Sequence, residues 1–451
     1  MANPKSQTTI SPHSQAPLCT RVYPDESELD EKLQKAARAQ KEWQKIDIKD
    51  RIAIGHKFME EFEKMKGDDL YLELTEQMGR PVSQVPGEIR GFLSRAQYML
   101  SIAEPSLADV SLKDTDVPGF RRYIKRVPLG VVFVIAPWNF PYLTSINAVL
   151  PAVVAGNAVI LKPSPQTPMA AERFATALVN AGVPEGIIQV LHLSPTLTSY
   201  VIQHELVDFV CFTGSVGVAL ELGGKDPAYG DLFQLQPLFP LLFRLFTGAM
   251  FNSGQSCCAI ERIYVHESVY DKFVEGYVDL VKKYKLGDPT KPDTNLGPVF
   301  TSEIVKAGAK ALVPEELFPI AQPNNAYVAP QVLVGVDHTM DVMMEETFGP
   351  VVGIQKVSSD EEAVRLMNDS PYGLTASIWT NAAENPESEK AFLHVVDQLN
   401  TGTVFLNRCD FLDPALSWTG VKNSGRGVSL SKFGYDQLTR PKSVHMKIQT
   451  K

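Results

Sequence analysis

Val131-Val132-Phe133-Val134-Ile135-Ala136-Pro137-Trp138-Asn139-Phe140-Pro141 opens as a β-branched, apolar run and breaks off at a proline. Read as a strand that delivers a loop and then a helix, it sets the rhythm of the next eighty residues. Residues 158–162, 188–191 and 208–211 are further short apolar runs, and helical stretches lie between them. One of these, residues 169–180, ends in the punctuation Gly182-Val183-Pro184. Strand and helix by turns argue an α/β fold built on a doubly wound parallel sheet, whose ligands sit beyond the carboxyl ends of the strands. A dinucleotide is the natural ligand of such a sheet. Yet no G-x-G-x-x-G follows any strand, and the nearest P-loop lookalike, Gly224-Lys225-Asp226, lacks the Ser or Thr that the motif requires.

Working outward, the second half repeats the pattern. Residues 261–266, 351–357, 375–379 and 402–407 read as strands, with helices expected at 269–285, 360–367 and 387–399. Toward the N-terminus, residues 27–43, 48–65, 69–78 and 82–102 carry apolar side chains at helical spacing amid Glu, Lys and Arg, so four amphipathic helices are expected. Residues 1–25 read as an irregular arm. Residues 109–127 and 443–448 alternate like exposed strands, a pattern that also serves simply to protect an edge.

At 451 residues the chain has room for two or three domains. A composition 44% hydrophobic and 21% charged is that of a soluble globular protein. The net charge of −9, with no Lys/Arg block, argues against nucleic acid as a partner. Five cysteines, an odd number without C-x-x-C spacing, support neither a disulfide framework nor a metal site, so a reducing, cytoplasmic setting is expected. No secretory signal is recognisable behind Lys5. Residues 232–251 are apolar enough to suggest a membrane span, but Gln234, Gln236, Pro237, Pro240 and Arg244 interrupt them, and no membrane is expected.

The chemistry gathers around Phe251-Asn252-Ser253-Gly254-Gln255-Ser256-Cys257-Cys258. A thiol after a turn of small and amide residues suits a nucleophile, because a carbonyl can approach and backbone N–H groups are left to face a developing negative charge. A buried, inert cysteine pair is the alternative. Three further stretches can supply complementary parts: Glu221-Leu222-Gly223-Gly224-Lys225, Pro137-Trp138-Asn139-Phe140-Pro141 and Glu345-Glu346-Thr347-Phe348-Gly349-Pro350. Together, and in their order along the chain, the four stretches resemble the aldehyde dehydrogenase superfamily.

The resemblance implies a dinucleotide-binding domain over residues 1–108 and 128–222 and a second α/β, catalytic domain over 223–425. Residues 109–127 and 434–451 would form a β element that bridges subunits of a homodimer or homotetramer. It implies oxidation of a small-molecule aldehyde to the acid with NAD or NADP. Cys257, two residues after Gln255, matches the family nucleophile. Asn139 matches the oxyanion donor and Glu221 the base that activates water for thioester cleavage. An exposed strand-end Glu and a helix-capping Asn are the plainer readings of those two residues. For the cofactor, Lys162 and Glu346 are implied for the two riboses, Phe348 and Trp138 beside the nicotinamide, and Gly214 and Ser215 near the nicotinamide and pyrophosphate. Pro165 stands where many NAD-preferring relatives carry Glu, so NADP is expected to be tolerated, with Lys162 and Ser164 as phosphate partners.

The chain also departs from that pattern. Only six residues separate Gly214 from Glu221, whereas a parallel crossover ordinarily takes a dozen or more. The helix expected there, whose N-terminus would meet the pyrophosphate, is missing. Residues 230–246 lack a polar helical face, and residues 301–311 are short for the helix expected at that place. A catalytically impaired member of the family, and a cofactor-independent cysteine esterase or acyl-transfer enzyme, are therefore rival readings.

Overall fold

The computed structural model describes residues 5–112, 117–214, 221–230, 238–299, 309–380 and 385–449, without the side chains of 221 and 238–241. The opening run forms the strand Val131–Ile135, buried at all five positions, which a sheet covered on both faces requires. It lies at the centre of a five-stranded parallel sheet. On one side come Ala158–Lys162 and Ile188–Val190, on the other Phe209–Gly214 and Glu221–Leu222. Helices Pro141–Ala155 and Pro168–Asn180 connect the strands.

The amphipathic patterns of the N-terminal third become the helices Glu26–Trp43, Ile48–Met65, Asp68–Met78 and Val85–Leu107. They bury Leu33, Phe58, Phe62 and Phe92 with Tyr142 and Phe174 in one aromatic-rich core with the sheet. Residues expected to be an irregular arm form instead a hairpin of Ser6–Ile10 and Pro17–Val22. Its support comes from far along the chain: Thr9 Oγ1 donates to Pro165 O at 2.7 Å, and Gln166 Nε2 donates to Ile10 O at 3.1 Å.

The second sheet has seven strands, ordered Lys310–Ala311, Gln331–Val334, Val351–Val357, Ile260–His266, Asp226–Gly230, Thr375–Trp379 and Thr403–Leu406. All its pairs are parallel except the first. The apolar segment before the thiol becomes the helix Leu238–Met250, only 13 residues long. Among the described residues no helix is long and apolar enough to cross a membrane. The strand Thr439–Lys447 runs antiparallel to Phe120–Pro128, with Val110–Ser111 on the far edge.

The shortened connection keeps its strand pairing. Glu221–Leu222 lies parallel to Phe209–Gly214, with Thr213 opposite Glu221 and Gly214 opposite Leu222. A ladder of two rungs needs the chain to return only a few ångströms, well within reach of six residues at about 3.3 Å each. It is nonetheless shorter than the dozen or more residues of an ordinary helical crossover. Residues 215–220, and the 301–308 part of the second short segment, lie outside the described residues.

Candidate functional site

The order of the five-stranded sheet reverses between Val131–Ile135 and Phe209–Gly214, and the crevice that opens at such a reversal is where doubly wound sheets bind ligands. A cavity of about 930 Å³ lies there, lined by Trp138, Asn139, Lys162, Ser164, Gly214, Cys257, Glu346 and Phe348. Residues drawn from separate stretches of the chain thus meet at one place. Ser215 lies outside the described residues, as does the Glu221 side chain, whose backbone continues the edge strand. The two rings expected at the nicotinamide meet edge to face, Trp138 and Phe348 having centroids 5.6 Å apart.

The thiol is presented by a tight left-handed turn. Asn252, Ser253 and Gly254 have φ of 53°, 57° and 76°, and a side chain on Gly254 would collide with the backbone of Gly349. That close approach sets the loop carrying Cys257 directly against the Glu346-Thr347-Phe348 segment. Cys257 is half-buried and Cys258 buried, and all five cysteines are free. The Cys258 thiol is held well above its ordinary range by its hydrogen bond with Cys257 and by burial, so it stays protonated. Its Sγ donates to Asp410 Oδ1 at 3.0 Å.

Asn139 does not cap the helix that begins at Pro141. Its Nδ2 donates to Gln255 O at 3.2 Å, in the loop that carries Cys257. The Glu88 carboxylate takes the capping role instead, accepting from Tyr142 N at 2.9 Å and Leu143 N at 3.1 Å. Arg80, fully buried, bonds the other Glu88 oxygen, the Asn139 carbonyl and Asn252 Oδ1. One guanidinium therefore ties Asn139 to the loop that carries Cys257. Burial lowers the Arg80 pKa, and the adjacent Glu88 opposes the shift.

A second buried pair fixes the Glu346-Thr347-Phe348 segment. Lys225 Nζ donates to Glu261 Oε2 and Thr347 Oγ1, both at 2.7 Å, and neither charged side chain is more than 3% exposed. Glu261 also accepts from Thr347 N at 2.7 Å and Phe348 N at 3.0 Å. Glu346 accepts from Gly224 N at 3.1 Å, and burial, with Glu261 nearby, pushes its carboxyl up to about 8. Lys162 is lowered to about 8 by burial. No described residue accepts a hydrogen bond from its ammonium, so the cavity wall presents an unspent cation of the kind a ribose or phosphate would engage.

The cavity is lined as well by Arg95, Asp410, Phe411, Leu412 and Trp418. Within the run Arg408-Cys409-Asp410, only Asp410 is among the residues lining the cavity. Arg408 lies instead over the Phe411 ring, 3.3 Å from its centroid, and Cys409 donates to Arg244 O at 3.5 Å. Arg80, Glu88, Asn252 and Glu261 are functional neighbours that the sequence does not single out. Each of the three charges sits in or beside a helix or strand where a solvated face is the natural assumption, and only the Asn-Ser-Gly turn gives a local signal.

With the geometry in place, comparison with known proteins gives a consistent answer. Residues 1–444 match the family described as "Aldehyde dehydrogenase family". The chain is 30% identical to aldehyde dehydrogenase 1A1 of Oryctolagus cuniculus, covering 99% of this chain and 94% of that protein. Among solved structures it resembles a succinic semialdehyde dehydrogenase from Streptococcus pyogenes in complex with NADP+. The identity is 28% and the TM-score 0.88, over 98% of this chain and 100% of that one. A betaine aldehyde dehydrogenase from Staphylococcus aureus in complex with NAD+ matches at 26% identity and TM-score 0.89, over 99% and 92% of the two chains.

Proposed function

The chain belongs to the aldehyde dehydrogenase family, and from that premise we propose that it oxidises an aldehyde to the carboxylic acid through a covalent intermediate on Cys257. The observation that supports this most is the convergence of Cys257, Asn139, Lys162 and Glu346 on one cavity. In this reading Cys257 Sγ adds to the carbonyl carbon. The developing oxyanion is met by the Cys257 backbone N–H and by Asn139, whose amide has a second N–H to give after bonding Gln255 O. Bound NAD or NADP supplies the acceptor for the aldehydic hydride. Lys162, Ser164, Gly214, Ser215, Glu346, Trp138 and Phe348 are the residues that would hold the dinucleotide, and the Lys162 ammonium, unspent on any described residue, fits that task. Glu221 then activates the water that cleaves the thioester.

No carboxylate stands at position 165 to oppose a 2′-phosphate, which supports use of NADP as well as NAD. The reading includes a cytoplasmic homodimer or homotetramer. Val110, Met446 and Ile448, on and beside the three-stranded sheet, are exposed apolar residues suited to such an interface.

Reduced nicotinamide, followed by absorbance on addition of an aldehyde, tests the assignment. Cys257→Ala is expected to abolish the signal, while Cys258→Ala loses far less. Equal loss in the two variants would refute the choice of nucleophile.

A further inference from the structure

The N-terminal hairpin reaches a loop of the cavity wall that is short of backbone donors. Lys162, Ser164 and Pro165 line the cavity, at the end of the strand Ala158–Lys162 and in the link to the helix Pro168–Asn180. Two of the three residues after Lys162 are prolines, which bring no N–H. Inside the link, Gln166 N donates to Ser164 Oγ at 3.3 Å and Thr167 N to Ser164 O at 3.1 Å. Further support comes from far away in sequence. Thr9 Oγ1 donates to Pro165 O at 2.7 Å, and Gln166 Nε2 donates to Ile10 O at 3.1 Å and to Gln77 O.

The hairpin is itself anchored at two other places, so it can act as a support. Arg21 Nε and Nη2 donate to the two oxygens of Glu172 at 2.6 and 2.8 Å. At the turn, His13 Nδ1 lies 2.6 Å from Tyr327 Oη and Nε2 lies 3.3 Å from Asp288 Oδ1. Thr9 is 2% exposed, and a bond made by so buried a hydroxyl fixes its acceptor, because water does not readily replace it. A hydrogen bond or ion pair to a bound ligand depends steeply on geometry, and side chains that bind are precise only when the backbone beneath them is held. The loop that presents Lys162 and Ser164 meets that condition through the hairpin.

We propose that Thr9 is a positioning residue for dinucleotide binding: through Pro165 O it holds the loop that sets Lys162 and Ser164 against the phosphorylated ribose of the cofactor. The inference rests on the reading above in which those two residues hold the dinucleotide. It gives the N-terminal hairpin a part in cofactor affinity without any contact between the hairpin and the reacting atoms.

The test measures the affinity of the full chain for NADP and for 2′,5′-ADP by calorimetric titration, alongside kcat at saturating NADP and the urea midpoint. A buried hydrogen bond left unmade is worth about tenfold, so Thr9→Val should weaken both ligands by about that factor while kcat at saturation stays near the wild-type value. Thr9→Ser, which keeps the donor, should restore most of the affinity. Thr9→Ala, which occupies less space than Thr9, answers the same question should Thr9→Val fail to fold. Arg21→Gln supplies the structural control, since it loosens the hairpin from Glu172 without touching the bond to Pro165; it should lower the urea midpoint and leave 2′,5′-ADP affinity within about twofold. Unchanged affinity in Thr9→Val and Thr9→Ala, or an equal loss in Arg21→Gln, overturns the proposal while aldehyde oxidation stands. A Thr9-dependent affinity for 2′,5′-ADP in a chain that oxidises no aldehyde supports the proposal while the functional reading fails, and a wild type that binds neither ligand overturns both.

Discussion

Replacing Lys225 by Met tests whether the buried pair beneath the cofactor segment works as one unit with that segment. The substitution keeps the volume of the side chain but removes an ammonium that is fully buried, leaving Glu261, 3% exposed, without its counter-charge. Removing one partner of a buried ion pair destabilises by about 3–5 kcal/mol. Here Glu261 keeps two backbone donors, Thr347 N and Phe348 N, so the lower end of the range, about 3 kcal/mol, is the reasonable expectation. Against a total stability of about 5–15 kcal/mol this is a large fraction, and it should appear as a lower urea midpoint with an unchanged denaturant slope. The same change frees Thr347 Oγ1 from its donor and loosens the support of Phe348, which packs on Trp138. Dinucleotide affinity should therefore fall with stability, and the tryptophan emission should shift. A loss below about 1 kcal/mol, an ordinary value for an exposed pair, would show that Lys225 contributes little. Lost stability with unchanged dinucleotide affinity would show that the pair does not position the cofactor segment.

Glu221→Gln should lengthen the life of the thioester more than it slows its formation, because the base for water is removed and the nucleophile is not; single-turnover traces with an unchanged lifetime would contradict this. Pro165→Glu should move the NAD-to-NADP affinity ratio at least about tenfold toward NAD, since it adds a carboxylate that accepts from ribose hydroxyls and repels a 2′-phosphate; an unmoved ratio in titrations refutes it. Burial raises Glu346 to about 8, so the stability conferred by its proton is fully present below the ordinary carboxylate range and is lost as pH rises through 8. Glu346→Gln should accordingly gain on the wild type between pH 5 and 8.5, on the order of 1 kcal/mol per pH unit over the interval between the two pKa values, and parallel urea midpoints across that range would show that the carboxyl is not raised.

The parts of this fold that sequence reveals are those whose periodicity is local. The strand Val131–Ile135 and the helix Ile48–Met65 appear where their patterns place them, because burial on two faces or one dictates which positions are apolar. The Ser6–Ile10 hairpin strand carries no such signal: its residues are mostly polar, and its anchors are Pro165 and Gln166, more than a hundred residues away. Arg80, Glu88 and Glu261 mislead for a related reason. A charge in or beside a helix or strand is ordinarily solvated, and only tertiary pairing shows that these three are buried. Asn139 illustrates the limit within a motif. Its position suited either a helix cap or an oxyanion donor, and the cap is excluded only because a distant Glu88 already occupies the helix start.

On the function proposed above, the short link between Gly214 and Glu221 should redistribute the work of holding a dinucleotide. An intact crossover there would offer a helix N-terminus, with several oriented N–H groups and a favourable dipole, to the pyrophosphate. Six residues are fewer than a parallel crossover ordinarily takes, and the strand before them is less covered than its neighbour. All six positions of Phe209–Gly214 are only half-buried, whereas the neighbouring Val131–Ile135 is buried throughout. The strand register survives, so the backbone of Glu221 stays at the end of the sheet beside Gly214. On the function proposed above, binding would lean on the cavity wall: Lys162, Ser164, and the Glu346-Thr347-Phe348 segment held by Lys225 and Glu261. Each of these would then carry a larger share of the affinity than it would beside a complete crossover. The buried Lys225–Glu261 pair, which stands behind the cavity wall, accordingly becomes one of the places where dinucleotide binding is most sensitive to substitution.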